Sequence, residues 1–153
     1  MIDSIEASVG IYLATLIVSV LSGLVPVVNG ELYLIAAILI AKDPTIAIVL
    51  AVIVAVGQMI AKIGLYHAAL GATRLGRSTR LGAKLERAQL LIERWRGKPL
   101  TLLFVSAVTG LPPFYLVSLA AGVVRIRFAT FLLLGTVGRV IRFVALALIV
   151  LYW

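Results

Sequence analysis

The sequence has no cysteine and only one histidine, His67, in 153 residues. Disulfide and thiolate chemistry are therefore excluded, and a lone imidazole leaves no histidine cluster for zinc. Charge is scarce as well. Only 13% of residues are charged and six of them are acidic, against about 25% charged in an average soluble domain. The nucleophile elbow, the His-Glu-x-x-His helix and the glycine loop ending in lysine are missing. The chain thus reads as a non-enzyme that needs neither metal nor cofactor. Its N-terminus lacks the basic region of a signal peptide and carries Asp3 and Glu6 instead, which favours an outside N-terminus.

What the sequence has in quantity is apolar surface. Hydrophobic residues make up 63% and the mean hydropathy is +1.18. A single domain of this size cannot hide so much within itself, because small domains have a high surface-to-volume ratio. The expectation is an all-α integral membrane protein, one membrane domain over residues 1–153. The net charge of +8 is concentrated: residues 74–98 hold eight basic residues against Glu86 and Glu93, a net of +6. A basic stretch between apolar runs is the positive-inside signature of a cytoplasmic segment. Its partners are then the bilayer and anionic lipid head groups rather than nucleic acid.

Breaks in the apolar runs suggest the layout. Residues 9–28 are apolar, interrupted by Gly23 and Pro26, and Asn29-Gly30-Glu31 follows. Residues 32–41 are apolar up to Lys42-Asp43-Pro44, and a continuous helix is predicted from Thr45 to about Leu70. Within the basic stretch, Arg80 to Trp95 mixes leucines with charges as an amphipathic surface helix does. Residues 99–109 and 114–124 are two apolar arms around Gly110-Leu111-Pro112-Pro113, a sequence that no helix passes through. Each arm is about eleven residues, or roughly 16 Å of helix, about half of a bilayer core. A re-entrant hairpin would return Arg125 and Arg127 to the cytoplasmic side. The last run, 128–152, contains Arg139 and Arg142.

The two ends of the chain echo each other. Ser22-Gly23-Leu24-Val25-Pro26 resembles Thr109-Gly110-Leu111-Pro112-Pro113, and Val56-Gly57-Gln58 resembles Val137-Gly138-Arg139. The expected architecture is therefore two inverted-repeat halves, 9–70 and 99–152, joined by an amphipathic cytoplasmic connection at 74–98. Each half is a re-entrant, broken helical hairpin followed by a membrane-spanning helix. Pro26, Gly30, Gly110, Pro112 and Pro113 mark the breaks. Residues 9–28 are long enough to span, while the echo of the second half has them re-enter. Inverted repeats recur in transporters, with the site at the repeat interface.

Within apolar surroundings, ionisable residues are functional candidates by default. Glu31 lies beside a backbone break. Arg139 and Arg142 are three apart and share a helix face, with Arg139 about 17 Å along the last helix. Glu31 can neutralise one arginine, leaving the other for an anion; guanidinium matches phosphate with a bidentate fork. A desolvated carboxyl also takes up a proton more readily, which would couple transport to protons. Gln58 is a polar candidate for the pathway. Lys62 is expected to snorkel to the interface, with Tyr66 and His67 in the interfacial belt.

At these residues the chain resembles the DedA/VTT family, also called SNARE-associated Golgi proteins. The resemblance runs from about Gly23 to Leu148. It rests on Pro26 leading to Gly30-Glu31 and an apolar run to Ala37, then on Gly57, Tyr66 and Gly71. It continues in Gly110-Leu111-Pro112-Pro113-Phe114 leading to Ala121-Gly122. The tail, Phe131 to Phe143 with Gly138-Arg139-x-x-Arg142, looks like the smaller YqaA-type branch. The resemblance implies opposed re-entrant hairpins and lipid handling, in the form of polyprenyl phosphate recycling in bacteria or phospholipid scrambling in eukaryotes; the expected location of this chain is a bacterial inner membrane. It gives Glu31 the family's functional acidic position. Typical members carry arginines in the second hairpin; Val105 to Pro113 has none here, so Arg139 and Arg142 would act from the adjacent helix. The expected function is a transporter or scramblase of phosphate-bearing lipid. The alternatives are a proton-coupled exporter of small cations or drugs, and a non-transporting membrane scaffold. A homodimer is compatible with each.

Overall fold

A computed structural model describes residues 2–25, 28–75, 79–95 and 97–153, and these are all helix or connection with no strand. Seven helices follow in order: α1 (Ile2–Leu24), α2 (Gly30–Ala41), α3 (Pro44–Leu75), α4 (Thr79–Arg94), α5 (Pro99–Thr109), α6 (Phe114–Val123) and α7 (Phe128–Tyr152). Two stretches, Pro44–Ala72 and Phe128–Tyr152, are long and apolar enough to cross a membrane. Large apolar side chains are left exposed along several helices, among them Leu32 at 64%, Ile40 at 81% and Leu133 at 64%. Apolar exposure on this scale needs lipid or a partner to cover it.

Local chemistry sets most of the helix ends. Asn29 caps α2, its side chain accepting from the backbone N–H groups of Glu31 and Leu32. Lys42 ends α2 in the left-handed conformation, φ 50°, and donates its N–H to the Ile38 carbonyl. Asp43 then accepts the Ile46 N–H at 2.9 Å, and Pro44 fills the first position of α3, where its missing N–H costs nothing.

The expected break at Gly23 is absent: α1 runs on to Leu24. Glycine here serves a close approach. An ideal Cβ on Gly23 would lie 2.6 Å from Ala61 Cβ. Pro26, the other proposed break in this run, lies outside the described residues. α3 runs to Leu75, past the Leu70 expected for its end, so the basic stretch opens as helix rather than loop.

The turn between α5 and α6 satisfies its own backbone. Gly110 ends α5 at φ 78° and donates to the Ser106 carbonyl. Leu111 N–H donates to the Thr109 hydroxyl at 3.1 Å. Pro112 and Pro113 have no N–H to satisfy. Ser106 Oγ donates to the Pro112 carbonyl at 2.5 Å, and the Thr109 hydroxyl lies 3.0 Å from the Leu111 carbonyl. Together α5 and α6 form a packed helical hairpin.

The chain packs as two compact units, Met1–Ala61 with Val140–Trp153, and Lys62–Arg139. The boundaries fall within α3 and α7, so the first unit draws on both ends of the sequence and the second is the continuous stretch between them. The first unit buries Leu34 and Ile38 of α2, Leu50 and Val54 of α3, and Phe143 and Ala147 of α7 in one cluster. The second buries Ala69 of α3, Leu85 and Ala88 of α4, and Leu119 and Ala120 of α6. The apolar face of the amphipathic helix is therefore covered in part by protein. In the first unit Gly57 admits α1, since a Cβ there would lie 2.6 Å from Ser19 Cβ. In the second Gly138 admits α5, with Ala107 Cβ 2.5 Å from the same construction.

Candidate polar site

In the first unit, Glu31 occupies the opening turn of α2, where exposed N–H groups favour a negative charge. Because Asn29 caps those donors, the carboxylate of Glu31 is left to reach across to α7. Arg142 Nε donates to Glu31 Oε1 at 2.9 Å, and Arg142 Nη2 donates to the same oxygen. The pair is partly covered, with side-chain exposures of 37% for Glu31 and 23% for Arg142. Of the two candidate arginines, Arg142 is the one that neutralises the carboxylate.

Gln58 lies close to the same helix start. It is buried, and its Nε2 donates to Ser22 Oγ at 3.1 Å. A Cβ on Gly30 would lie 2.6 Å from Ser22 Oγ and 2.8 Å from Gln58 Nε2. Gly30 thus begins α2 and lets it sit tight against this amide. Thr15 and Ser19, buried on α1, were missed in the sequence. Ser19 Oγ donates to the Thr15 carbonyl at 2.5 Å, and the Thr15 hydroxyl meets Tyr33 OH at 3.0 Å. The signal was present: Thr15, Ser19 and Ser22 recur at the spacing of one helix face.

Arg139 belongs to the second unit. It is buried, with its guanidinium carbon 4.6 Å from the centre of the Phe114 ring. Phe114 is the first residue of α6, directly after the proline pair, so the turn delivers an aromatic face to the cation. Lys62 is also buried, at 5% exposure, and Arg139 acts on it electrostatically. This corrects the expectation of a snorkelling lysine. Snorkelling requires the amine to reach the surface, and packing around α3 encloses it instead.

Tyr66, expected in an interfacial belt, is buried too. Its hydroxyl donates to the Ile126 carbonyl at 2.5 Å and its ring stacks on Phe131 at 4.8 Å. His67 is exposed and meets the Tyr66 ring edge-on at 5.2 Å. Tyr66→Phe removes the hydroxyl and strands a carbonyl. A loss of about 1–2 kcal/mol is expected, read as a lowered Tm of the detergent-solubilised protein.

Among the described residues no three His, Asp or Glu side chains gather as metal ligands would. The arrangement offers a carboxylate–guanidinium pair in one unit and a buried arginine with a buried lysine in the other. Groups of these kinds can bind anions and exchange protons.

No curated protein and no solved structure matches the chain. A family model does: that of the VTT domain, over residues 15–152. The match takes in Glu31, Gln58, Arg139, Arg142 and the α5–α6 turn, and with nearly the whole chain covered, this protein belongs to the DedA/VTT family of membrane proteins.

Proposed function

We propose that the chain moves a phosphate-bearing lipid, a polyprenyl phosphate or a phospholipid, between the leaflets of a bacterial inner membrane. The observation that carries this reading is the Glu31–Arg142 pair, in which two guanidinium donors converge on one carboxylate oxygen. A phosphate oxygen presents the same acceptor geometry, so the head group can take the place of Glu31 on Arg142. Protonation of Glu31 would weaken its hold and release the arginine to the substrate, which links each exchange to a proton. Gln58 adds a neutral polar group beside the start of α2, and in the other unit Arg139 on Phe114 is a second cation able to meet a phosphate.

In this reading the hairpins re-enter the membrane and repeat with inverted topology, residues 74–98 face the cytoplasm, and the chain falls in the YqaA-like branch. The short arms support re-entry: α5 and α6 have 11 and 10 residues, about half of what a bilayer core requires. The repeat is supported by Gly57 and Gly138, each of which receives the helix that opens its hairpin.

Reconstitution in liposomes tests the function. Flipping of a labelled polyprenyl phosphate or phospholipid is followed by quenching from outside. Glu31→Gln, Arg139→Ala and Arg142→Ala are each expected to slow it at least tenfold. Wild-type rates in all three would refute the assignment. Loss in Glu31→Gln alone would point to a proton-coupled exporter of small cations.

A further inference from the structure

α4 uses part of its surface to pack Leu85 and Ala88 into the second unit. Another part carries Arg87, Leu90, Leu91 and Arg94, which together with Leu116 of α6 line an open groove of about 480 Å³. These four residues of α4 fall at i, i+3, i+4 and i+7, the spacing of a single helix stripe. Leu90 is 62% exposed. Both arginines are exposed, and among the described residues neither is ion-paired, although Glu86 and Glu93 each stand one position before them.

A leucine exposed between two guanidinium groups suits neither water nor the hydrocarbon interior. It suits the boundary between them, where apolar side chains meet acyl carbon and arginines reach phosphate oxygens. The groove has an apolar floor of Leu90, Leu91 and Leu116 and a cationic rim of Arg87 and Arg94. The rim favours a net negative head group over a zwitterionic one. The floor favours a ligand with acyl chains over a free anion.

The geometry points to a binding site for an anionic phospholipid in the α4–α6 groove, with Arg87 and Arg94 on the head group and the leucines against the upper acyl chain. Glu31 and Arg142 belong to the other unit, so the site does not depend on the translocation reading. Its occupant is a lipid that docks α4 against the leaflet rather than one that crosses.

The test uses the full chain in nanodiscs of equal phosphatidylglycerol and phosphatidylcholine, released into the gas phase so that retained lipids are counted by native mass spectrometry. The wild type is expected to retain phosphatidylglycerol over phosphatidylcholine by roughly tenfold, the scale of two basic contacts with anionic lipid. Arg87→Gln/Arg94→Gln should bring the ratio close to one. Leu90→Asn, which leaves charge unchanged, should lower retention severalfold. Arg125→Gln/Arg127→Gln removes the same charge from exposed positions of the same unit and should leave the ratio as in the wild type. The proposal is overturned if the Arg87/Arg94 variant keeps its preference, or if the Arg125/Arg127 variant loses as much, which would make the effect one of bulk charge. If the doubly substituted chain does not fold, Leu90→Asn decides: wild-type retention there overturns the groove.

Discussion

Glu31→Gln and Arg142→Gln, made singly, are each expected to destabilise the protein by roughly 1–2 kcal/mol and, on the proposed function, to halt lipid flipping, while the double variant regains most of the stability and none of the flipping. Each single change strands the opposite charge in a partly covered site, and the loss is chiefly the cost of that unpaired ion. The double variant leaves two neutral amides that can bond to each other. A pair with a purely architectural role would recover function together with stability; a pair that exchanges its partner for phosphate would not. The two readouts, Tm in detergent and flipping in liposomes, therefore separate the roles. Exchanging the charges, Glu31→Arg with Arg142→Glu, should rescue stability only in part, because a cation at the start of α2 opposes the helix dipole.

The second large effect is expected at Gly122. A Cβ there would collide with the Tyr66 carbonyl oxygen and lie 2.9 Å from Ala69 Cβ and 3.2 Å from Leu70 N. The obstacle is mostly helix backbone, which cannot step aside as a side-chain tip can. Gly122→Ala should cost about 1–3 kcal/mol through overpacking between α6 and α3. Gly71→Ala is the matched control. It is also in a helix, with nothing within 4 Å of the new methyl group, and should gain up to about 1 kcal/mol from helix propensity. Thermal melts of the two variants side by side would show opposite signs. Equal shifts would mean that α6 does not pack on α3 at this glycine.

Much of the layout was legible because its signals are local. Asn29, Lys42-Asp43-Pro44 and Gly110-Leu111-Pro112-Pro113 act on their own backbone within a few residues, and the helix ends fall where they stand. The apolar runs of α3 and α7 are long enough that composition alone defines them. What the sequence hid is tertiary. Glu31 had two arginines on one helix face to choose from, and its partner, 111 positions away, depends on how α2 is placed against α7. Lys62 looked like an interfacial lysine because hydropathy ranks it by type. Its burial comes from neighbours that no window along α3 contains. Gly23 reads as a breaker by propensity, yet its cost of about 1 kcal/mol in a helix is outweighed where the missing side chain lets α1 approach Gln58 and Ala61. α3 overran its expected end because residues 71–75 contain no proline and only one glycine.

The turn at Gly110–Pro113 has a consequence for biogenesis. Its donors are met by Ser106 and Thr109 or removed by the two prolines, so every group it needs lies within the α5–α6 segment itself. As the nascent chain leaves the ribosome, this hairpin can close before α7 emerges to pack against it. Ser106 and Thr109 would then matter most during insertion. Their loss would appear as reduced yield of membrane-integrated protein, even if the protein that does mature melts at a nearly normal temperature.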